Sequence, residues 1–324
     1  MILLRRQFLY LAAGAAILPT TSHLAKAEAF PGRPIHIVVG FPPGAVDLSA
    51  RLIEQSLQQR LGQSVVIDNH PGAGGNLADE AVVEARPDGG TLILAGTHNA
   101  INATLYRNLP FDFIRDIAMV AGIMQSPLVM LTNPSFEAKS VAELISYARA
   151  NPGKINMASA GNGTSTHLAG ELFQMMAGVS MVHVPYRGGA PALADLVAGH
   201  TQLMFANLGV SIGFIRDGRL RALAVTSLHA SPVLPGIPPL ASVVAGYEMS
   251  AWFGLGAPKA TPADAIMVIN KAVNACLAEP AIVKRIRDLG AEPMIMSPSE
   301  LDAFVAADTR KWAKVVKFSG AKID

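Results

Sequence analysis

The feature that most constrains this chain is a repeated local grammar: a continuous apolar run of strand length, a turn, then a helix with one apolar stripe. Runs of this kind occur at Ile35–Val39, Val65–Asn69, Thr91–Ala95, Val129–Thr132, Ile155–Ser159, Met181–Val184, Gln202–Phe205, Ala222–Thr226 and Phe253–Ala257. Unbroken apolar strands are those covered on both faces, and their alternation with helices predicts an α/β protein with mostly parallel sheets. The helix starts are readable. Asp47–Leu61 puts Leu48, Leu52, Ile53, Leu57 and Leu61 on one stripe and stops at Gly62. Ser140 with Glu143 reads as a capping box, Thr261-Pro262 with Asp264 as an N-cap followed by proline at the first helical position, and Ser297 with Glu300 as the start of the last helix. The 324 residues suffice for two domains, and 51% hydrophobic against 15% charged residues suffices for a sizeable core. No internal repeat, low-complexity linker or composition break marks a boundary between domains.

Residues 1–27 read as an export signal and stand apart from the fold. Arg5 and Arg6 form a positive start, Phe8 to Leu18 an apolar run too short to span a bilayer, and Ala25-Lys26-Ala27 a small-x-small cleavage site. Arg5-Arg6-Gln7-Phe8-Leu9 also looks like a twin-arginine signal. No cysteine follows the apolar run, so a lipid anchor on the new N-terminus is excluded. The mature chain, starting near Glu28, is expected in the periplasm. A net charge of +2, with no basic cluster among aromatics, argues against nucleic acid. The single cysteine, Cys276, can make neither an intrachain disulfide nor a multi-cysteine zinc site, and reads as a small buried residue on a helix.

Three glycine-rich turns lie between strands and helices: Phe41-Pro42-Pro43-Gly44-Ala45-Val46-Asp47, Pro71-Gly72-Ala73-Gly74-Gly75-Asn76, and Ser159-Ala160-Gly161-Asn162-Gly163-Thr164-Ser165-Thr166. A helix starting at such a turn presents free N–H groups and a partial positive charge, which makes an anion site without lysine or arginine. Ligands of open α/β sheets lie beyond the carboxyl ends of the strands, where the first and third turns fall. Glycine-rich turns are also the ordinary connections of such folds. None completes a nucleotide fingerprint.

Chemistry-bearing residues do not assemble along the sequence. The histidines, among them His70, His98, His167, His183 and His200, show no metal-ligand spacing and read as structural or surface residues. There is no nucleophile elbow. No catalytic residue, metal or cofactor is therefore assigned. The rival from another class is an exported esterase using Ser159 or Ser165 with His167; a third reading is a periplasmic scaffold or sensor whose cleft binds nothing.

Over Pro31 to Asp324 the chain resembles the Bug-type periplasmic receptors of tripartite tricarboxylate transporters. The resemblance rests on the order and spacing of Arg33-Pro34-Ile35, Phe41-Pro42-Pro43-Gly44, Leu61-Gly62-Gln63, Val65-Val66-Ile67-Asp68-Asn69, Pro87-Asp88-Gly89, Asn151-Pro152-Gly153-Lys154, Gly163-Thr164-Ser165-Thr166-His167-Leu168-Ala169-Gly170-Glu171, Val184-Pro185-Tyr186-Arg187-Gly188, Leu220-Arg221-Ala222-Leu223-Ala224-Val225-Thr226, Trp252-Phe253-Gly254-Leu255 and Ala257-Pro258. It implies a two-lobed periplasmic-binding-protein fold of type II-like topology, with residues 28–126 and 251–324 in one lobe, 127–250 in the other, and a cleft between them. It implies a receptor, not an enzyme, for a small carboxylate held by Phe41, Pro43, Gly44, Ala45 and Asp47 from one side and Gly161, Thr164, Ser165, Thr166 and Asn207 from the other. The implied partners are the permease subunits of a membrane transporter, or a sensor kinase, with the receptor acting as a monomer.

The chain also departs from the family pattern. The usual Pro-Pro-Gly-Gly-x-x-Asp turn is one residue shorter here and has Ala45 in place of the second glycine. Ala206 stands where an acid often precedes Asn207, Gly90 replaces a tyrosine, and His70 an arginine. Loss of the acid points toward a more apolar or more anionic ligand.

Overall fold

The computed structural model describes residues 30–319; the export-signal reading of residues 1–27 lies outside the described residues. The strands are β1 (Ile35–Val39), β2 (Val65–Asn69), β3 (Thr91–Gly96), β4 (Ile117–Thr132), β5 (Asn156–Ser159), β6 (Val182–Pro185), β7 (Leu203–Asn207), β8 (Arg221–Val225), β9 (Ser250–Pro258) and β10 (Glu292–Pro293). The helices are α1 (Ala45–Leu61), α2 (Asn76–Val83), α3 (Thr97–Leu105), α4 (Phe113–Asp116), α5 (Val141–Ala150), α6 (Ser165–Ala177), α7 (Gly189–Ala198), α8 (Leu208–Arg216), α9 (Ala263–Leu277), α10 (Pro280–Asp288) and α11 (Pro298–Ser319). Among the described residues no single helix is long and apolar enough to cross a membrane.

One strand organises the sheet. The order is β2-β1-β3-β9-β4-β7-β5-β6, with β8 and β10 also paired to β4. From Ile117 to Pro127, β4 runs antiparallel to β9; from Leu128 to Thr132 it pairs β7 and β8 instead. The sheet therefore has two wings that share β4, and the chain passes between them at Pro127–Leu128 and again at Met249–Ser250. Thr226, fully buried, fixes this junction: its Oγ1 accepts from the Leu128 N–H at 2.7 Å and lies 2.6 Å from the Met249 carbonyl.

The wings are parallel at their flanks (β1 with β2 and β3; β5 with β6 and β7) and antiparallel through the middle. The sheet is thus mixed, because the two long strands that carry the chain through the centre run against their neighbours. Nine of the runs read from sequence appear as strands to within a few residues, but the stretch 117–128 was not foreseen. Its Gly122, Gln125, Ser126 and Pro127 break the apolar run, although most of β4 is buried.

Local chemistry accounts for the helix ends. The Glu143 and Glu300 N–H groups each donate to the serine hydroxyl three residues earlier, while Glu143 accepts from the Lys139 N–H and Glu300 from the Ser297 N–H. Gly62 closes α1 in the left-handed conformation at φ 64°. The start of α9 differs from expectation: Pro262 is the residue before the helix, not its first, and the Thr261 hydroxyl caps nothing. The core holds Trp252, Trp312, Tyr247, Phe173 and Phe205, all fully buried. Cys276 is also fully buried on α9, and burial raises its thiol pKa.

Candidate functional site

A cavity of about 380 Å³ lies between the two wings. The first wing contributes Phe41 to Gly44 and Val46, Thr97 and His98, and Ala251 to Phe253; the second contributes Ala160, Thr164 to Thr166, Arg187 to Pro191, Leu193, Met204, Ala206, Asn207, Val210 and Phe214. These positions share one origin. Five helices, α1, α3, α6, α7 and α8, begin at the carboxyl ends of strands β1, β3, β5, β6 and β7, and all five starts reach the cavity wall. The N–H groups of a first helical turn have no acceptor inside the helix, and the helix dipole adds partial positive charge. Three of the starts, those of α1, α7 and α8, also lack a side-chain cap. Among the described residues no carboxylate side chain lines the cavity, and the one formal cation in its wall is the exposed Arg187.

The third turn is built by its own hydroxyls. Thr166 Oγ1 accepts from the Ala160 N–H at 2.9 Å and lies 2.9 Å from Thr164 Oγ1, which donates to the Gly161 carbonyl at 2.7 Å. The Gly161 N–H donates to Ser159 Oγ at 3.1 Å, and the His167 N–H to Thr164 Oγ1 at 3.3 Å. Gly163 sits at φ 73°, where a side chain is strained, and an added Cβ would overlap Asn102 Oδ1. The first turn is sparser. Asn69 Nδ2, at the end of β2, donates to the Phe41 carbonyl at 2.8 Å, and Gly44 is extended at φ 169° before the uncapped α1.

Phe41, Pro43, Gly44, Thr164, Ser165, Thr166 and Asn207 all face the cavity. Asp47 does not line it: its carboxylate is buried and accepts from Arg51 at 2.7 Å, one turn along α1. Gly161 lies behind the wall, tied to Ser159, and Ala45 supplies the first residue of α1. The second turn is also away from the cavity. Its Gly74 carbonyl and the Asn76 side chain both accept from Asn102 Nδ2 at 3.0 Å.

Sequence reasoning missed His98, Thr97, Trp252 and the start of α7. Their signal was topological: Thr97 and His98 open the helix after β3, α7 follows β6, and Trp252 lies near the start of β9, which runs antiparallel to β3 and so sits beside its carboxyl end. Trp252 is fixed by its Nε1–H, which donates to Asp308 at 2.8 Å, and by its backbone N–H, which donates to Thr97 Oγ1 at 3.0 Å. His98 is 5% exposed and meets the Phe41 ring edge-on, with centroids 4.9 Å apart; burial lowers its pKa to about 3, so the imidazole is neutral.

The residues of the esterase reading are not arranged as a nucleophile and base facing the cavity. Ser159 is fully buried, and its Oγ lies 2.6 Å from Nε2 of His183, not of His167. His183 stacks on His167 at 3.8 Å, and burial, then the neighbouring His167, lower its pKa to about 3. His167 Nδ1 accepts from the Gly163 N–H at 3.3 Å, and its Nε2 lies 3.6 Å from Glu171 Oε1.

Comparison with known proteins agrees with this architecture. The model of a family described as the tripartite tricarboxylate transporter family receptor matches residues 49–320, beginning just past the shortened first turn. The protein BugT of Bordetella pertussis is 36% identical over 304 residues, covering 92% of this chain and 93% of its own. An R. palustris protein solved with adipate is 37% identical, with TM-score 0.86, over 91% of this chain and 100% of that one. A Rhodopseudomonas palustris protein with bound malate is 32% identical, with TM-score 0.82, over 89% and 100%.

Proposed function

The chain belongs to the tripartite tricarboxylate transporter receptor family, and from that premise we propose that it captures a small carboxylate between its two wings in the periplasm. The observation that carries the reading is the convergence of five helix starts on one cavity that, among the described residues, no carboxylate side chain lines. An anion placed there meets backbone donors from both wings, and no like charge opposes it. The bound adipate and malate of two similar structures support the same class of ligand.

The passages at 127–128 and 249–250 are the natural pivot. A ligand that touches both wings stabilises the closed arrangement through its differential contacts. The closed receptor then delivers its ligand to the permease subunits of a membrane transporter, acting as a monomer. The receptor reading calls for no catalytic group, and the full burial of Ser159 beneath the third turn supports it over the esterase alternative.

A thermal-shift screen of residues 28–324 against small carboxylates and their matching amides tests the reading. A carboxylate at about 100 times its Kd adds roughly 2.7 kcal/mol of stability, read as a raised Tm, and the amide adds far less. A chain that melts cooperatively and responds to no carboxylate is the scaffold reading instead.

A further inference from the structure

His98 is the buried polar side chain of the cavity that the fold itself leaves unengaged. It is 5% exposed, and among the described residues neither ring nitrogen has a hydrogen-bond partner within the protein. The ring is nonetheless held in place. It fits between two glycines: a Cβ at Gly75 would stand 3.1 Å from Nε2, and one at Gly96 would stand 3.2 Å from Nδ1. Phe41 closes on it edge-on, which puts the imidazole beside the first turn and the uncapped start of α1. A buried imidazole without a partner carries a desolvation cost, and its position on the cavity wall offers that partner from a ligand. Since it is neutral, one nitrogen carries a proton and donates.

The facing walls have the opposite character. Leu193, Met204, Ala206, Val210 and Phe214, from α7, β7 and α8, give the second wing's side of the cavity an apolar surface, and Trp252 adds an apolar ring from the first wing. A hydroxyl or a further carboxylate pressed against those side chains loses its water without gaining a partner.

We propose that the cavity selects a carboxylic acid with an apolar body, whose carboxylate accepts a hydrogen bond from His98 beside the first turn while the body rests on the Leu193–Met204–Phe214 wall. The inference rests on the receptor reading above and names its ligand class. In practice the cavity prefers benzoate or hexanoate to hydroxylated di- and tricarboxylates such as malate and citrate.

Calorimetric titration of residues 28–324 with benzoate, hexanoate, malate and citrate tests the class. Benzoate or hexanoate should bind at least about tenfold more tightly than malate or citrate, the scale on which an apolar pocket rewards a methylene or more. Malate or citrate binding as tightly as either overturns the class and leaves the receptor reading standing; no binding by any carboxylate removes both. For His98 the direct readout is the nitrogen-15 signals of its imidazole in the unmodified protein. Saturating benzoate or hexanoate should move them, and His98→Phe should weaken that binding about tenfold or more. Binding that leaves those signals in place overturns the role of His98, whether or not the variant folds.

Discussion

The first and third turns face each other across the same cavity, yet they are made differently. In the third, Ser159, Thr164 and Thr166 spend their hydroxyls on the turn's own backbone, so its shape is fixed before any ligand arrives. In the first, Asn69 ties down the Phe41 carbonyl from β2, the Ser49 hydroxyl donates to the Val46 carbonyl from within α1, and α1 starts at an extended glycine with no cap. Backbone donors held by side-chain bonds are preorganised; donors on an uncapped helix start are free to answer an anion. The comparison assigns stiffness to one side of the cleft and unspent hydrogen-bonding capacity to the other.

Acid acts on a buried histidine at each turn. His98 borders the first turn and His183 the third, and burial lowers both pKa values to about 3 from 6.5. The unfolded chain therefore takes up protons that the folded chain refuses. Their contribution to stability is complete above pH 6.5 and is lost as pH falls toward 3, on the order of 3 kcal/mol by pH 4 for His98 and less for the half-buried His183. Asp79 runs the other way. Burial raises its carboxyl pKa from 3.8 to about 7, so it costs stability as pH rises through that interval. Urea midpoints from pH 4 to 8 should show a shallower acid limb in His98→Phe and, to a smaller degree, in His183→Gln, while Asp79→Asn should steepen the limb.

Gly163→Ala should be next in size. It places a side chain at φ 73° and drives it into Asn102, for a loss on the order of 3 kcal/mol in denaturant unfolding and a loss of ligand binding. Thr166→Val strips the Ala160 N–H of its acceptor and should cost about 1–3 kcal/mol by the same measurement. Asn69→Ala, its counterpart at the first turn, should cost about 1 kcal/mol or less in stability. If Asn69→Ala proves the more damaging in urea, the assignment of stiffness to the third turn is wrong.

Much of this was legible in the sequence. Strand runs, helix caps and the two turns that border the cavity follow from local patterns: apolar length, serine with glutamate three residues on, glycine beside proline. The middle of β4 was not legible, because Gly122, Gln125, Ser126 and Pro127 interrupt the pattern where the strand changes partners. Asp47 looked like a ligand group beside an anion turn, but the Arg51 that claims it lies one helical turn away on the same helix, a spacing that suits such a pair. His98 was invisible for a different reason. A lone histidine after an apolar strand has no local signature, and its place in the cavity depends on glycines at positions 75 and 96 and on the topology that brings Phe41 beside it.

The central claim is that backbone donors from both wings hold one carboxylate. Amide chemical shifts of perdeuterated, nitrogen-15-labelled residues 28–324, recorded at saturating benzoate or hexanoate, test it most directly. The account predicts concerted shifts at Gly44 and Val46 of the first turn and at Thr164 to Thr166 of the third, larger at the first, where the helix start carries no cap. Shifts confined to one turn, or absent from both while the ligand binds elsewhere, would contradict it.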